Sequence, residues 1–274
     1  MKQALSNLIG TDMKESVKRA LFRYKNRNFT PYIVERTLYG TRFKFYVGNK
    51  DGESWYIDSN PSSDPNQQDW NWPEMEFVKN NICKENDVVL ECGGHHGLTA
   101  VLLSKWIGQN GRLLTFEPNP DNVGILHKNL EINSAKNVQV IAKAVGAAPG
   151  KIMISHSSSN SYILKGSEHN GINVDVVTAD SYLALKPTVL KIDVEGFEVE
   201  VLKGAQGLLK TLPKLVIEVH TDMIQRYGSS IQELLSYIDP SYKLWVQWEI
   251  DKEPVPYDRA TPINHRVHLF AVAA

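Results

Sequence analysis

Asp87-Val88-Val89-Leu90-Glu91-Cys92-Gly93-Gly94-His95-His96-Gly97-Leu98-Thr99-Ala100 is the stretch that decides the fold. It begins as a run of β-forming residues that ends at an acid, and it then passes through glycines into a helical pattern. This order predicts a strand, a tight turn and a helix. Glycines let the backbone approach a ligand closely, and the N–H groups at a helix start can hold a polar ligand group. We expect a nucleoside-cofactor site formed by Glu91, Gly93, Gly94, His95 and Gly97.

A second predicted strand supports this site. Residues 112–116 are apolar and end in Glu117-Pro118-Asn119-Pro120. This places a carboxylate roughly 20 residues beyond the turn, where a doubly wound sheet holds a ribose. An acid at the tip of the second strand can accept from both ribose hydroxyls. The cofactor-binding set therefore extends to Glu117, Pro118 and Asn119, and it fits either a nicotinamide dinucleotide or S-adenosylmethionine.

The spacing of the glycines separates these two cofactors. A dinucleotide fold uses G-x-G-x-x-G, in which the middle glycine makes room for a pyrophosphate. Here three residues, Gly94, His95 and His96, separate Gly93 from Gly97, and the middle glycine of that pattern is absent. This spacing favours a methyltransferase that uses S-adenosylmethionine.

Composition narrows the class of protein. The chain has 274 residues, 42% of them hydrophobic, and a net charge of -1. This length and composition suit one large domain, or one domain with an appendage. No basic stripe interleaved with aromatic residues is present, so a nucleic-acid substrate is not expected. Cys83 and Cys92 lack metal-ligand spacing, and neither a signal peptide nor a membrane-spanning apolar run is seen, so we expect a cytoplasmic protein.

The N-terminal part is predicted to be an extension, over residues 1–72, that precedes a Rossmann-like domain over residues 73–274. Residues 1–28 show an amphipathic helical pattern, with residues such as Leu8 and Leu21 opposite lysines and arginines. We favour packing of this helix on the domain, with a membrane surface or a dimer interface as alternatives.

The extension continues with a predicted β-hairpin and a loop. Alternating residues on both sides of Gly40-Thr41 predict hairpin strands over 30–38 and 42–47. A polar, Pro-rich loop over residues 58–73 follows, and its Trp70 and Trp72 are expected to pack or to shape the rim of a pocket.

The rest of the chain alternates strands and helices. A third strand over residues 138–141 leads to Ala144 and Val145, which we expect at the adenine edge of a methyltransferase site. The last predicted strands, over 242–250 and 266–272, complete a mostly parallel seven-stranded sheet with an antiparallel last strand. The Pro-rich loop Asp251–His265 between them is expected to cover the acceptor.

Ionisable residues end the fourth and fifth predicted strands. Asp193 and Glu195 follow one strand, and Glu218 and His220 end the next. Side chains alternate along a strand, so each pair can point the same way, and ligands of doubly wound sheets bind at these strand ends. Four ionisable groups that converge on one edge predict a catalytic site.

Taken together, these residues resemble the FkbM family of S-adenosylmethionine-dependent methyltransferases. The resemblance rests on Lys191-Ile192-Asp193-Val194-Glu195-Gly196-Phe197-Glu198 with the following Val201-Leu202-Lys203-Gly204-Ala205, on Phe116-Glu117-Pro118-Asn119 and on Val176-Val177-Thr178-Ala179-Asp180. It implies a Rossmann-like class I methyltransferase fold.

The resemblance also implies roles for individual residues. Glu117 would hold the ribose, Gly93 and Gly97 would shape the turn on the methionine side, and Asp193 and Glu195 would border the transfer site. The chain departs from the family pattern at Glu91 and at His95, which stands where the family commonly has asparagine. His95 is therefore expected to contact the cofactor or the acceptor.

We expect the protein to O-methylate a hydroxyl of a small molecule or a sugar, of the natural-product or glycan type. The alternatives are a nicotinamide-dependent oxidoreductase and a catalytically silent Rossmann-like binding module. His220 is the expected base, as a neutral imidazole. A divalent metal held by Asp193, Glu195 and Glu218 is the less favoured alternative.

Overall fold

The computed structural model describes residues 11–53, 71–156, 158–166 and 171–273. The first ten residues, Trp70 and most of the predicted polar loop lie outside these ranges. The helices are α1 (Thr11–Asn26), α2 (Lys50–Glu53), α3 (Pro73–Phe77), which continues as a π-helical turn (Val78–Ile82), α4 (Leu98–Trp106), α5 (Pro120–Ile132), α6 (Glu198–Lys203), α7 (Gln206–Leu209), α8 (Thr221–Arg226) and α9 (Ile231–Ser236), with a 3-10 helix at Ala179–Leu185.

The strands follow the predicted order, with shorter ends than predicted for several of them. They are β1 (Tyr32–Leu38), β2 (Thr41–Val47), β3 (Val88–Cys92), β4 (Arg112–Phe116), β5 (Val138–Ile141), β6 (Ala144–Val145), β7 (Gly150–Ser155), β8 (Gly171–Val177), β9 (Val189–Ile192), β10 (Lys214–Val219), β11 (Tyr242–Gln247), β12 (Val255–Pro256) and β13 (Val267–Ala273).

The large sheet has the order β12-β11-β13-β10-β9-β3-β4-β5. Strands β5, β4, β3, β9 and β10 pair in parallel, and β13 is antiparallel to both β10 and β11. The predicted seven-stranded Rossmann-like methyltransferase sheet is confirmed, with the two-residue β12 added at one edge. The central strands β3 and β9 are almost wholly buried, as expected where helices cover both faces of a parallel sheet.

The sheet order brings the predicted site residues together. Strands β3 and β4 lie side by side, so the glycine turn after β3 is next to Glu117 at the end of β4. On the other side of β3, strands β9 and β10 are parallel neighbours, with Lys191 opposite Val216. Because the carboxyl ends of parallel strands meet at one edge of a sheet, all of these residues share that edge.

A small three-stranded sheet, in the order β6-β8-β7, lies outside the large sheet. Its β7 and β8 form an antiparallel pair in which Ile154 is opposite Ile172. The aliphatic side chains of β7 contribute to the wall of the cavity described below.

The N-terminal hairpin of β1 and β2 packs on α5. The Tyr46 N–H donates to Asn129 Oδ1 at 2.6 Å, and the Lys44 N–H donates to Asn133 Oδ1 at 3.0 Å. Phe45 is buried in the same hydrophobic cluster as Leu126 of α5. The extension thus shares a core with the Rossmann-like part of the chain.

Helix α1 differs from the packed amphipathic helix that we favoured. Its Val17 and Leu21 side chains are each 52% exposed, and Tyr24 is exposed as well. Lys18 contributes one contact, with its Nζ 6.0 Å from the ring centre of Tyr162. In the part of the chain that the structure describes, no helix combines the length and apolar character needed to span a bilayer.

Candidate active site

The turn between β3 and α4 depends on its glycines. Gly93 has φ +96°, and a Cβ there would lie 1.8 Å from the backbone oxygen of Asp193. A Cβ at Gly94 would lie 2.2 Å from Thr115 Oγ1. Only residues without a side chain allow the turn to lie this close to the neighbouring strand ends.

Glu117 ties this turn to the end of β4. Its Oε2 accepts from the His95 N–H at 2.8 Å, and its Oε1 accepts from the Asn119 N–H at 2.8 Å and from Asn122 Nδ2 at 3.3 Å. Burial raises the pKa of Glu117 to about 7, although these hydrogen bonds oppose the shift. Glu117 also lines the cavity, so its oxygens remain next to a bound ligand.

One cavity runs along the carboxyl edge of the sheet. Beside Glu117 its wall is apolar and includes Phe116, Ala144, Val145, Ile152 and Ile154. An apolar slot next to an acidic acceptor fits the adenine and ribose of S-adenosylmethionine. Gly93 and Gly94 of the turn also line this cavity and, because they have no side chains, they leave room for the rest of the cofactor. The residues present therefore fit S-adenosylmethionine.

The other half of the cavity is polar. Its charged side chains include Lys191, Asp193, Glu195, Glu218, Arg266 and His268. They come from the ends of β9 and β10 and from the start of β13, which are adjacent in the sheet. The cavity therefore joins an apolar cofactor half to a charged half that can hold a polar acceptor.

Glu218 is surrounded by positive charge. Arg266 contacts Glu218 Oε1 through both Nε and Nη2, and His268 Nε2 lies 3.5 Å from Glu218 Oε2. Burial opposes ionisation, but the hydrogen bond from His268 and the charges of His268, His220 and Arg266 hold the pKa of Glu218 well below its usual range. Glu218 is therefore an anion at neutral pH.

The pKa of Asp193 is shifted in the opposite direction. Burial, together with the nearby Glu218 charge, raises the pKa of Asp193 to about 7, although Lys191 Nζ lies 3.5 Å from its Oδ2. An acid of this kind can both take up and release a proton near neutral pH.

His220 is not placed as expected for a neutral base. It is 6% exposed and is absent from the cavity wall, and its Nδ1 lies 2.7 Å from Oε1 of the fully buried Glu198. Burial lowers the pKa of His220, but the hydrogen bond to Glu198 and the charges of Glu198, Glu218 and Asp193 outweigh this and raise it to about 9. The expectation of a neutral imidazole at this position is corrected, because buried carboxylates favour its protonated form.

The metal alternative fits the donor set poorly. Asp193, Glu218 and His220 each offer a ligand atom within 4.8 Å of the others. However, Arg266 already pairs with Glu218, Lys191 lies beside Asp193, and the raised pKa of His220 favours a proton at its ring. These positive charges balance the carboxylates that a cation would need.

Of the remaining predicted residues, some line the cavity and others lie behind its wall. Gly93, Gly94, His95, Pro118, Ala144 and Val145 line the cavity, as does Trp72. Glu91 is fully buried behind the turn, where it accepts from Thr99 Oγ1. The Asn119 side chain caps α5, and Gly97 precedes α4 with φ +85°. Glu91, Gly97 and Asn119 therefore support the site without forming its wall.

The loop Asp251–His265, which the structure describes in full, does not line the cavity. Arg259 anchors it through Leu235 O at 3.1 Å and Asp239 O at 2.8 Å, and β12 pairs with β11. Only its flanking residues, Ile250 and Arg266, reach the cavity wall. The predicted cover of the acceptor by this loop is therefore limited to Ile250 and Arg266, which flank it.

Sequence reasoning missed four residues of the site: Lys191, Glu198, Arg266 and His268. Arg266 and His268 alternate at the start of a predicted strand, which is the same spacing that identified Glu218 and His220. Glu198 ends the stretch that resembles the family, but nothing in the local sequence indicates its buried contact with His220.

Comparison with known proteins gives a match over more than half of the chain. The model of the family described as "Methyltransferase FkbM domain" matches residues 91–244. A hexuronic acid methyltransferase, AglP, from Haloferax volcanii is 28% identical over 142 residues, which are 50% of this chain and 57% of that protein. The chain therefore spans less than two thirds of the length of this relative.

Two solved structures are also similar. A methyltransferase FkbM from Methylobacillus flagellatus has 21% identity and a TM-score of 0.45, over 68% of this chain and 43% of that one. An S-adenosylmethionine-dependent O-methyltransferase from Thermotoga maritima has 12% identity and a TM-score of 0.46, over 89% of this chain and 78% of that one. The strand order of the large sheet, rather than either superposition, defines the fold.

Proposed function

The chain belongs to the FkbM methyltransferase family, and on that premise we propose that it methylates a hydroxyl group of a sugar or of another small molecule. S-adenosylmethionine is the cofactor, and it supplies an electrophilic methyl group on a sulfonium. The observation that carries the proposal is a cavity in which an apolar half beside Glu117 continues into a charged half at the ends of β9 and β10.

The cofactor half holds and orients the methyl donor. Glu117 would accept from the ribose hydroxyls, Ala144 and Val145 would border the adenine, and the turn at Gly93 and Gly94 would receive the methionine part. Held in this way, the cofactor would supply its methyl group to an acceptor in the charged half. Such alignment matters because an in-line displacement needs both reacting atoms in a narrow range of positions.

Asp193 is the proposed proton acceptor for the hydroxyl group. It lines the cavity, its backbone lies against Gly93 of the cofactor turn, and the pKa of about 7 suits a base near neutral pH. Formation of the oxygen–carbon bond would break the sulfonium–methyl bond and release the demethylated cofactor, and the hydroxyl proton would pass to an Asp193 carboxylate oxygen. Lys191, next to Asp193, keeps a share of this carboxylate ionised before the reaction.

The acceptor class is supported by the charged half of the cavity and by one relative. Glu195, Glu218 and Arg266 can pair with several hydroxyl groups of one molecule, as sugar-binding sites do. The name of the Haloferax volcanii relative refers to a hexuronic acid, which is consistent with a sugar of the glycan type. A role for α1 in oligomer formation stays a prediction from the sequence.

The test is turnover with candidate hydroxylated sugars and metabolites. Incubation with S-adenosylmethionine, followed by mass spectrometry, should give a product in which one methyl group has replaced one hydrogen. Asp193→Asn should reduce the rate by roughly 10²–10⁴-fold and retain cofactor binding. Glu131→Gln, at an exposed carboxylate of α5 paired with Lys128, is the matched control and should leave the rate unchanged.

Two results would contradict the proposal. Full activity of Asp193→Asn would remove the base assignment. Tight binding of S-adenosylmethionine without any methylated product, across a broad acceptor panel, would favour the silent binding module instead.

A further inference from the structure

We propose that Glu198 is a positioning residue that holds His220 as a cation, and that this cation fixes the carboxylates of Glu195 and Glu218 at the acceptor end of the cavity. The role is defined for the methyl transfer proposed above. It concerns two residues, Glu198 and His220, that support the cavity from behind its wall.

Glu198 is held in a fixed position inside the protein. It is fully buried at the start of α6, where an isolated carboxylate would lose its hydration without compensation. Its Oε1 accepts from the Gly196 N–H at 2.9 Å and lies 2.7 Å from His220 Nδ1. We assign the hydrogen of this short contact to Nδ1, which donates it to Glu198 Oε1.

The second ring nitrogen of His220 faces negative charge as well. Nε2 lies 3.6 Å from Glu195 Oε2 and 3.7 Å from Glu218 Oε1, and among the described residues it has no hydrogen-bond partner. A lone pair on Nε2 would point toward two carboxylates and be repelled by both. A proton on Nε2 turns this repulsion into attraction, so both ring nitrogens are protonated and His220 carries a positive charge.

Asp193, Arg266 and His268 are the other charged groups near this ring. Asp193 strengthens the preference for a proton on His220, whereas Arg266 and His268 also contact Glu218 and compete with His220 for that carboxylate. The imidazolium thus shares Glu218 with Arg266 and His268, and its Nε2 also lies 3.6 Å from Glu195 Oε2.

Glu195 shows what the cation does for the cavity wall. Its Oε1 accepts from Asn160 Nδ2 at 2.9 Å, and its Oε2 faces His220. Its backbone has φ +51°, which is unfavourable for a residue with a side chain. The adjacent Gly196 is packed against α8, since a Cβ there would lie 2.3 Å from Met223 Cβ. Asn160 on one side and His220 on the other therefore set where this carboxylate meets the acceptor.

The consequence for the reaction is positional. Without the imidazolium, Glu195 would lose the attraction at its Oε2 and would be repelled by Glu218, which Arg266 and His268 still hold, so the Glu195 carboxylate would turn away. An acceptor held by a displaced carboxylate would present its hydroxyl group off the line of attack, which lowers the rate at saturating substrate more than it lowers cofactor affinity.

The test is Glu198→Gln, which keeps an oxygen for the His220 Nδ1–H but removes the negative charge. Imidazole NMR titration should show the pKa of His220 falling by at least about one unit. Turnover at saturating acceptor should fall roughly 10–100-fold, and the affinity for S-adenosylmethionine should change less than about twofold, since cofactor contacts are elsewhere in the cavity. Glu200→Gln is the matched control, because Glu200 lies on the same helix and pairs with Lys203 instead.

A second variant tests the proposal independently if Glu198→Gln has a local folding defect. His220→Asn should lower turnover to a similar extent, and the double variant should lose little more than either single one, because both act through one cation. Losses that multiply in the double variant would overturn the proposal, as would an unchanged pKa of His220 in Glu198→Gln. The titration needs no acceptor, so it tests the cation independently of whether methyl transfer is found.

Discussion

Glu117 contributes both to the structure of the glycine turn and to the proposed cofactor site. Its two oxygens accept from the backbone N–H groups of His95 and Asn119 while it lines the cavity. The same carboxylate therefore holds the turn in place and, in the proposed function, accepts from a ribose. A change at this residue is expected to affect both stability and affinity.

The expected result for Glu117→Ala is a loss of S-adenosylmethionine affinity of about 1.5–3 kcal/mol, typical of a lost charge-assisted hydrogen bond. Glu117→Gln keeps one oxygen and should lose less. Calorimetric titration measures the affinity, and circular dichroism checks the fold. Unchanged affinity of a folded Glu117→Ala protein would remove Glu117 from the cofactor site.

Gly93 gives a second prediction at the residue scale. Gly93→Ala places a Cβ in contact with the Asp193 backbone at a φ of +96°, so the free energy of unfolding should fall by at least about 1–3 kcal/mol and cofactor binding should weaken. Gly124→Ala, in the interior of α5 with no atom within 4 Å of its Cβ, is the control and should stabilise by about 0.5–1 kcal/mol. Urea unfolding compares the two, and equal stability of both variants would contradict the close approach at Gly93.

At the scale of elements, the C-terminal strands decide the acceptor side. Strand β13 lies between β10 and β11 and begins next to Arg266, so it brings Arg266 and His268 to Glu218. The exposed Ile250 follows β11 and is the apolar contribution of this region to the cavity. The acceptor end is thus shaped by the strand ends, while the long loop between them is anchored elsewhere.

This arrangement predicts a selective effect of Ile250→Ala. The KM for the acceptor should rise by roughly 3–10-fold, the size expected for loss of one partly buried apolar contact, and S-adenosylmethionine affinity should stay unchanged. Val255→Ala, at an exposed position of β12, should change neither quantity. Steady-state kinetics with each substrate varied separately provides the measurement, and a change confined to the cofactor would place Ile250 in the wrong half of the cavity.

At the scale of the whole molecule, the charged edge of the sheet couples stability to pH. The folded protein raises the pKa of His220 from 6.5 to about 9 against the effect of burial. The folded state therefore binds this proton more tightly than the unfolded chain does. The contribution to stability is complete below pH 6.5 and is lost as the pH rises through about 9.

The expected outcome is a free energy of unfolding that falls between pH 6.5 and 9, with His220 accounting for on the order of 2 kcal/mol. Burial raises the pKa values of Asp193 and Glu117 to about 7. Their contributions to the free energy of unfolding are therefore lost as the pH rises through a lower range that ends near pH 7. Urea unfolding across this pH range is repeated on the Glu198→Gln/His220→Asn double variant. The difference between the two proteins gives the contribution of His220 to the free energy of unfolding. Parallel pH dependence of the two proteins would show that His220 does not titrate as described.

The sequence by itself determined the succession of the strands along the chain, the glycine turn and the placement of Glu117, Asp193, Glu195 and Glu218 at strand ends. Each follows from a local pattern: apolar strand residues that end at glycine or at an acid, and side chains that alternate along a strand. Because parallel strands end at one edge of a sheet, these local patterns also predicted which side chains would meet there.

Only the tertiary structure decided the charge state of the site. His268 lies opposite Glu218 because β13 is paired antiparallel to β10, and Glu198 meets His220 because α6 begins beneath the end of β10. These contacts join segments that are distant in sequence, and the burial of each group then sets its pKa. The same residue types in water would keep their ordinary pKa values, so no local pattern could distinguish His220 as a neutral base from His220 as a buried cation.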